Sequence, residues 1–272
     1  MNADWIIPDW PAPPWVNAVC TTRAGGVSKA PFDKLNLGAH VGDAESDVTA
    51  NRANFTGQLR AKPVFLNQVH GFDVVTLTQG TPPRTVADAC ISHTPGLACT
   101  VMVADCLPVL FANRLGTVVG AAHAGWRGLL GTASPFGPAG VLENCHAKIA
   151  ALAMSNVRQV AIKGVVNDIL VWLGPCIGAR KFEVGGEVRE AFLAQNVEAE
   201  ALFQHTGNGK WLADLQGLAR QRLKARGVDQ IYGNDGSDAW CTVSNPSRFF
   251  SHRRDHISLG GSGRMAASIW LV

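Results

Sequence analysis

The chain has 272 residues, of which 47% are hydrophobic and 17% are charged. This composition provides enough apolar surface for a substantial buried core and excludes a disordered chain. The formal net charge of +3 is small and dispersed, which excludes the strongly basic surface of a nucleic-acid-binding protein. We therefore expect a folded protein with no DNA or RNA partner.

The N-terminal region predicts neither export nor a membrane span. Residues 1–15 contain no Lys or Arg and are interrupted by four prolines, so the charged and apolar parts of a signal peptide are both missing. No apolar run approaches the ~20 residues that cross a bilayer. The seven cysteines are odd in number and form no CxxC pair, which disfavours a disulfide framework. We expect a cytoplasmic protein with no membrane partner, and a monomer.

Hydrophobic periodicity predicts groups of strands with helices between them. Short apolar, β-branched runs bounded by turn residues predict strands at Val16–Thr22, Pro63–Leu66, Val74–Leu77, Leu97–Val103, Pro108–Phe111, Val118–Ala122, Ile169–Leu173 and Met265–Leu271. Apolar residues at helical spacing predict helices at Asp47–Leu59, Val141–Ala153, Glu187–Gln195 and Leu212–Arg226. With no internal repeat or linker, the pattern favours one domain over residues 1–272. Its class is α/β or α+β, with mixed sheets flanked by helices.

Three residues that can bind metals or act as nucleophiles lie at the ends of predicted strands. They are His70 in NQVHG, Cys106 in ADCLPVL and His123 in AHAGWRG. Loops held by strand ends commonly carry functional residues. The three lie far apart in the sequence and match no local Cys/His motif, so only the fold can bring them together. Taken singly, a cysteine or histidine of this kind is more often a buried core residue.

The neighbours of these three residues favour the functional interpretation, since a purely structural strand end does not require them. The polar neighbours, which supply directional hydrogen bonds, are Asn67, Gln68, Asp105 and Arg127. The glycines, which let a backbone or a ligand come close, are Gly71, Gly125 and Gly128. For Asp105, orienting a histidine or carrying a proton competes with capping a turn.

Two chemistries fit these residue types. One thiolate and two imidazoles suit Zn²⁺, and a set of three ligands leaves the fourth tetrahedral position open, as in catalytic zinc sites. Alternatively, Cys106 with His70 or His123 forms a nucleophile and its base, because an adjacent imidazole lowers the pKa of a thiol. The sequence does not separate an open metal site from an activated thiol.

Several blocks of sequence, taken in order, carry a resemblance to a known family. They are TTRAGGVS, NQVHG, ADCLPVL, AHAGWRG, LGPCIG with FEVGGEV, and FFSHRRD with GRMAA. This ordered set, from about Val19 to Leu271, resembles the YfiH family, also called the laccase-domain or multicopper polyphenol oxidoreductase family. The resemblance implies a single layered α/β domain of a cysteine hydrolase-type fold. It also implies that His70, Cys106 and His123 form the metal-binding and catalytic site.

The resemblance implies an enzyme that acts on purine nucleosides. Members phosphorolyse adenosine, inosine and methylthioadenosine to the free base and sugar 1-phosphate, and they also deaminate adenosine. Deamination needs an activated water, which an open Zn²⁺ provides by lowering the pKa of its bound water to about 7. Phosphorolysis needs an anion pocket, to which arginines are suited, although each is as often a surface or ion-pair residue. The candidate substrate-binding residues are Asn67, Gln68, Arg23, Arg127, Arg253, Arg254 and Arg264.

Other readings of the same site stay open. The eight histidines include no His-x-His pair, which makes a true multicopper laccase improbable. A single Cu²⁺ that oxidises phenols weakly is an alternative, as is a cysteine-dependent amidase that edits peptidoglycan precursors through Cys106, or a metal-binding protein without turnover. The chain departs from the family pattern at SHRRD and at ARKFEVGG, and at two local insertions, Leu130–Pro138 and Ala161–Asp168. These departures affect the rim of the pocket and the substrate preference.

Overall fold

Residues 2–133, 139–155 and 168–272 are described by a computed structural model. Most of the two expected insertions, namely residues 134–138 and 161–167, lies outside the described residues. Within the described chain, thirteen strands form three sheets, and six α-helices accompany them. No described helix is long and apolar enough to cross a membrane.

A four-stranded sheet joins the first and last strands of the described chain. Its spatial order is β1 (Val16–Cys20), β13 (Met265–Leu271), β5 (Leu97–Val103) and β2 (Lys62–Phe65). Strand β13 pairs antiparallel with β1 and β5, whereas β2 lies parallel to β5. The sheet is therefore mixed, as the sequence predicts.

A six-stranded sheet forms the centre of the molecule. Its spatial order is β12 (Ile231–Gly233), β8 (Ile169–Leu173), β6 (Leu107–Asn113), β7 (Val119–Ala124), β4 (Ala89–Ser92) and β3 (Val74–Thr76). Every residue of β6 and β7 is buried, because both faces of the sheet are covered. A third, antiparallel sheet contains β10 (Phe203–Gly207), β11 (Lys210–Ala213) and β9 (Glu183–Gly185).

All eight predicted strands are present, with ends that shift by no more than two residues. The five strands that the sequence pattern does not predict are β4, β9, β10, β11 and β12, and none exceeds five residues. None of these segments contains a run of four apolar or β-branched residues, which is the pattern on which the strand predictions rest.

The α-helices are α1 (Glu45–Leu59), α2 (Trp126–Leu130), α3 (Val141–Ser155), α4 (Gly186–Gln195), α5 (Leu215–Ala225) and α6 (His252–Leu259). The predictions for α1, α3 and α4 are confirmed to within two residues. The helix predicted from Leu212 instead begins at Leu215, because Leu212 belongs to β11. Asp214 ends that strand and caps the helix, since its Oδ1 accepts a hydrogen bond from the Gly217 amide at 2.9 Å.

The two larger sheets face each other, and helices cover their outer faces. Ala18 and Val101 of the four-stranded sheet share a core with Leu110 and Ala121 of the six-stranded sheet. Phe55 and other side chains of α1 cover the outside of the smaller of these two sheets. Side chains of α3 and α5 cover the outside of the six-stranded sheet. The expected mixed α/β class is confirmed, with four layers in the order helix, sheet, sheet, helix.

Candidate active site

The three candidate residues converge at the crossing between the two large sheets. Cys106 lies in the short turn from β5 to β6, which passes from one sheet to the other, and His123 lies on β7. His70 lies in the loop before β3. The Cys106 Sγ atom and a ring nitrogen of each histidine all lie within 4.8 Å of one another. The fold therefore brings together residues that no local motif connects.

The three side chains differ in how firmly they are held. His123 is buried, Cys106 is partly buried and His70 is exposed. The backbone of His70 has φ of +60°, a left-handed conformation that is uncommon outside glycine. The His70 loop therefore needs support from elsewhere in the fold to keep its side chain over the other two.

Asp88 provides that support through a fully buried carboxylate. Its Oδ1 accepts a hydrogen bond from the His70 amide at 2.9 Å and lies 2.8 Å from His123 Nδ1. Its Oδ2 accepts hydrogen bonds from the Val69 and Gly71 amides at 3.0 and 2.7 Å. One carboxylate thus fixes both the His70 loop and the His123 ring. It holds the proton on His123 Nδ1, which leaves Nε2 as the nitrogen available for a ligand or a proton.

Sequence reasoning did not select Asp88, although a signal for it exists. It lies directly before the apolar strand β4 in the string ADACIS, where a buried carboxylate needs partners. Burial raises the pKa of Asp88, but the hydrogen bond and charge of His123 and the amides of the His70 loop outweigh burial and lower it. Asp88 is therefore a permanent anion that holds the site together.

The thiol and the imidazole change each other's ionisation. Burial raises the pKa of Cys106, but the charge and hydrogen bonds of His123 and His70 outweigh burial and lower it to about 6. Burial lowers the pKa of His123, but the Cys106 thiolate and the hydrogen bond to Asp88 raise it to about 9. Without a metal, the two residues form a thiolate–imidazolium pair at neutral pH. A thiolate is the form required both for a metal ligand and for a nucleophile.

Two positions in AHAGWRG are glycine because neighbouring atoms leave little room for a side chain. A Cβ atom on Gly125 would lie 3.0 Å from both Cys106 Sγ and His70 Cδ2. A Cβ atom on Gly128 would lie 2.5 Å from the carbonyl oxygen of Gly71, so any side chain there would push away the His70 loop. These positions let the loop close over Cys106, as the sequence predicts.

The three ligand atoms fit a metal of the zinc type after a small closure. Zinc bonds of about 2.0–2.3 Å place two ligands of a tetrahedral site about 3.5 Å apart. The side chains therefore have to close by at most about 1.3 Å from their present separations of up to 4.8 Å. The exposed His70 is free to make most of this movement. One sulfur and two nitrogens are also a donor set that zinc and copper both accept.

A cavity of about 350 Å³ opens beside the three residues, a volume typical of small-molecule sites. The wall on the side of the four-stranded sheet includes His40, Gln68, Met102 and Arg264. The wall on the side of the helices includes Trp126, Ile177, Phe182 and Leu215. The first wall is therefore mainly polar, and the second is formed by large apolar side chains.

Three of the predicted arginines reach this cavity. Arg127, Arg253 and Arg264 all line its wall. Arg254 does not, because its guanidinium binds Asp255 and the carbonyl oxygens of three neighbouring loop residues. Arg254 therefore holds α6 in place.

Arg23 and Asn67 lie outside the cavity wall. The Arg23 guanidinium binds the Asp33 side chain and the Pro246 carbonyl, and it stacks over Phe250. Asn67 takes part through its backbone in a bridge with Val86. Partners within the fold hold the Arg23 guanidinium, whereas the Asn67 side chain is exposed. The substrate contacts of Arg23 and Asn67 stay predictions.

Gln68 lines the cavity, but its amide is occupied. Its Nε2 donates to the Met102 carbonyl and its Oε1 accepts from the Met102 amide, both at 2.8 Å. This pair of hydrogen bonds fastens the His70 loop to the end of β5. Gln68 therefore acts on the position of His70.

Asp105 accepts hydrogen bonds at both carboxylate oxygens, one of them from the backbone of α6. Oδ1 accepts a hydrogen bond from Thr242 Oγ1 at 2.5 Å, and Oδ2 accepts one from the Arg253 amide at 2.6 Å. Asp105 does not orient a histidine, which is one of the roles expected for it. Asp88 has that role instead. Its φ of +88° shapes the turn that presents Cys106. Catalytic action of Asp105 stays a prediction.

The fold and the site together define a class of protein. A model of the family described as multi-copper polyphenol oxidoreductase laccase matches residues 17–272. The chain belongs to this family, and the resemblance carried by the sequence blocks is confirmed.

Individual relatives match over nearly the whole chain. A protein called purine nucleoside phosphorylase from Pseudomonas aeruginosa is 48% identical and covers 100% of this chain and 99% of its own length. Purine nucleoside phosphorylase YfiH of Escherichia coli is 50% identical, with 98% of each chain covered.

Solved structures of two further proteins resemble this fold. A Neisseria meningitidis protein of the family DUF152 superimposes with a TM-score of 0.82 at 42% identity, over 98% of this chain and 99% of its own. The YfiH protein of Bacillus licheniformis superimposes with a TM-score of 0.78 at 29% identity, over 94% of this chain and 93% of its own. The layered mixed-sheet architecture is common to all three proteins.

Proposed function

We propose that this protein is a purine nucleoside phosphorylase that also deaminates adenosine, with its chemistry centred on His70, Cys106 and His123. The observation that carries the proposal is the convergence of these three residues beside a cavity of small-molecule size. The names of the relatives from Pseudomonas aeruginosa and Escherichia coli support the same activity. Purine nucleosides and phosphate are then its partners.

Phosphorolysis breaks the bond between the purine and the sugar C1′ atom and forms a bond from C1′ to a phosphate oxygen, while the purine leaves with a proton. The cavity provides an apolar wall that includes Trp126 and Phe182, on which a purine can stack. It provides arginines for the phosphate. The sugar then lies between them, beside Cys106 and the two histidines.

We further propose that His70, Cys106 and His123 hold Zn²⁺, with Cu²⁺ as the alternative. When bound, the ion supplies a Lewis acid and lowers the pKa of a bound water, which is the chemistry that deamination requires. Asp88 keeps His123 Nε2 free for the metal, and Gln68 keeps the His70 loop over Cys106. The single domain over residues 1–272, the monomeric state and the cytoplasmic location stay predictions from the sequence.

Product analysis tests the function. Purified protein is incubated with adenosine, with and without phosphate, and the products are separated by chromatography. We expect adenine and ribose 1-phosphate only when phosphate is present, and inosine from deamination. Cys106→Ala should abolish both activities, whereas the matched variant Cys20→Ala, in a thiol buried on β1, should retain them. Full activity of Cys106→Ala would contradict the assignment of the site.

A second function is favoured by the thiolate–imidazolium pair of Cys106 and His123. Such a pair is the nucleophile and base of cysteine hydrolases. It supports an amidase that edits peptidoglycan precursors, together with the hydrolase-type fold that the family resemblance implies. Release of L-serine from a muramyl peptide, without any product from adenosine, would establish this second function in place of the first.

A further inference from the structure

The two ends of the active-site cavity differ in how their charged groups are engaged. On the side of the four-stranded sheet, three basic side chains form what we call the cationic end: His40, His252 and Arg264. On the side of the helices, what we call the apolar end is formed by Trp126, Ile177, Phe182 and Leu215, which pack with the core that covers the outer face of the six-stranded sheet. His70, Cys106 and His123 line the same cavity.

Arg264 is held so that its guanidinium faces the cavity. Its amide donates to Asn36 Oδ1 at 2.9 Å, and its Nη1 donates to the carbonyl oxygens of Ser262 and Gly263. Gly38 makes room for the side chain, because a Cβ atom there would lie 2.7 Å from Arg264 Cγ. Within the described residues, Nε and Nη2 of Arg264 have no hydrogen-bond partner and are not enclosed by the protein. They are donors available to a ligand.

The two histidines lie close enough to Arg264 to sense its charge. Burial and then the charge of Arg264 lower the pKa of His40. The same two causes, in the same order, lower the pKa of His252. Arg264 therefore supplies the positive charge of the cationic end. The two imidazoles, which the lowered pKa keeps neutral near pH 7, each offer one N–H that can donate a hydrogen bond to an anion.

The other two cavity arginines are engaged with the apolar end. The Arg127 guanidinium lies over the Trp126 ring, 4.5 Å from its centroid. The Arg253 guanidinium lies 5.8 Å from the Phe182 ring centroid, and both of its terminal nitrogens donate to the Glu183 carbonyl. These cations extend flat surfaces on which a base can stack.

The carboxylate near the cationic end makes its hydrogen bonds elsewhere. Among the described residues that line the cavity, Asp105 is the only acidic one, and its two oxygens bind Thr242 and the Arg253 amide. Burial lowers the pKa of Arg264, and the charges of Cys106 and Asp105 oppose that shift. Because the Asp105 oxygens are engaged elsewhere, the free Nε and Nη2 donors of Arg264 stay available to a phosphate. The free donors of Arg264 at one end and the apolar side chains at the other determine how phosphate and a nucleoside can be oriented in the cavity.

We propose that Arg264, His40 and His252 form the inorganic phosphate subsite, and that the purine occupies the apolar end between Trp126 and Phe182. This assignment rests on the proposed function, which it deepens by fixing the orientation of both substrates. It places the sugar C1′ atom beside Cys106 and the two histidines. It also separates the roles of the three cavity arginines, since Arg264 binds phosphate whereas Arg127 and Arg253 contact the nucleoside.

Phosphate binding and steady-state kinetics of matched variants test the subsite. Arg264→Gln keeps most of the side chain and removes the charge, and Arg253→Gln makes the same change at the apolar end. We expect Arg264→Gln to raise the KM for phosphate by about tenfold or more, with the KM for adenosine changed by less than about threefold. Arg253→Gln should show the opposite pattern. Arg264→Lys should recover part of the phosphate affinity, because it restores the charge without the planar fork.

Calorimetric titration of the protein with inorganic phosphate, without nucleoside, separates this proposal from the proposed function. Phosphate binding that is lost in Arg264→Gln and kept in Arg253→Gln supports the subsite, even if no nucleoside is turned over. Phosphate affinity that is unchanged in Arg264→Gln, or lost equally in Arg253→Gln, overturns it. Absence of phosphate binding to the unaltered protein at millimolar concentrations also overturns it. Thermal melting of each variant verifies that it is folded.

Discussion

Cys106 differs from the other thiols of the chain in its ionisation. Its pKa is lowered to about 6, whereas burial raises the pKa of Cys20 to about 12 and also raises the pKa of Cys145 and Cys176. Neighbouring imidazoles provide the difference, since burial alone acts in the opposite direction. Cys106 should therefore be the thiol that reacts first with an electrophile.

The pH dependence of alkylation follows from this pKa. In metal-stripped protein, the rate of Cys106 modification by iodoacetamide should rise as pH passes through about 6, because the lowered pKa makes the thiolate the main form above that pH. In His123→Gln the midpoint should move to higher pH, because burial then raises the pKa of Cys106 without the opposing charge of His123. Mass spectrometry of quenched samples gives the rates. A midpoint near the ordinary value of 9.0 in the unaltered protein would contradict the ion pair.

Asp88 is the residue whose loss should disturb the site most without touching substrate. Asp88→Asn keeps one carbonyl oxygen but cannot accept from all of His70, Gly71 and His123. We expect metal affinity and turnover to fall by about 10- to 100-fold, the usual cost of removing a partner that orients a ligand. Metal competition with a chromophoric chelator measures the affinity.

The matched control for this substitution is Asp168→Asn. Asp168 binds Arg114 in a surface ion pair in which both side chains are 36% exposed. Such pairs contribute about 0–1 kcal/mol, so this variant should keep its metal and its activity. Equal losses in both variants would assign the effect to general destabilisation and would refute the orienting role of Asp88.

At the scale of elements, the approach of α2 to the His70 loop controls the width of the site. Gly125→Ala adds a methyl group 3.0 Å from Cys106 Sγ and His70 Cδ2, although the backbone at Gly125, with φ of −72°, accepts any residue. We expect a folded protein whose turnover falls by about tenfold or more, because small displacements of reacting groups are costly. Steady-state kinetics and thermal melting together measure this.

Gly57→Ala is the corresponding control, since a Cβ atom at Gly57 of α1 meets nothing within 4 Å. It should keep full activity and raise the free energy of unfolding by about 0.5–1 kcal/mol, because alanine favours a helix interior. A Gly125→Ala variant that is as active as Gly57→Ala would show that the site is wider than the structure indicates.

The elements that the sequence predicts are those with long or strongly apolar patterns. Strand β5 and helix α3 are examples, since each buries a continuous or periodic set of side chains. The five-residue helix α2 and the strand β4 are missed, because their ends depend on tertiary partners. Prediction of the site from the sequence has the same limit. His70, Cys106 and His123 are recognisable as residue types. Asp88 could be noticed as a carboxylate before an apolar strand, but only the paired strands show that it joins the two histidines.

At the scale of the whole molecule, a buried ion pair joins the helices that cover the six-stranded sheet. Arg222 Nε of α5 donates to Glu143 Oε1 of α3 at 2.6 Å. The same guanidinium donates to Gln195 of α4 and to the Leu130 carbonyl at the end of α2. One side chain therefore ties four helices together behind the active site.

Removing one partner should be costly, since the other is left buried and unpaired. Arg222→Met should lower the free energy of unfolding by about 3–5 kcal/mol. Arg180→Met, which removes an exposed ion pair with Asp238, should change it by no more than about 1 kcal/mol. Urea denaturation followed by tryptophan fluorescence measures both. Similar values for the two variants would show that the buried pair does not hold the helices together.

The metal site is tested most directly by an anomalous-difference map from crystals of the protein grown with zinc, recorded on both sides of the zinc absorption edge. We expect one strong peak about 2.0–2.3 Å from a nitrogen of His70, from Cys106 Sγ and from His123 Nε2. We also expect this peak to disappear in Cys106→Ala. A map with no peak there, or with zinc bound only elsewhere, would contradict a metal site at this position.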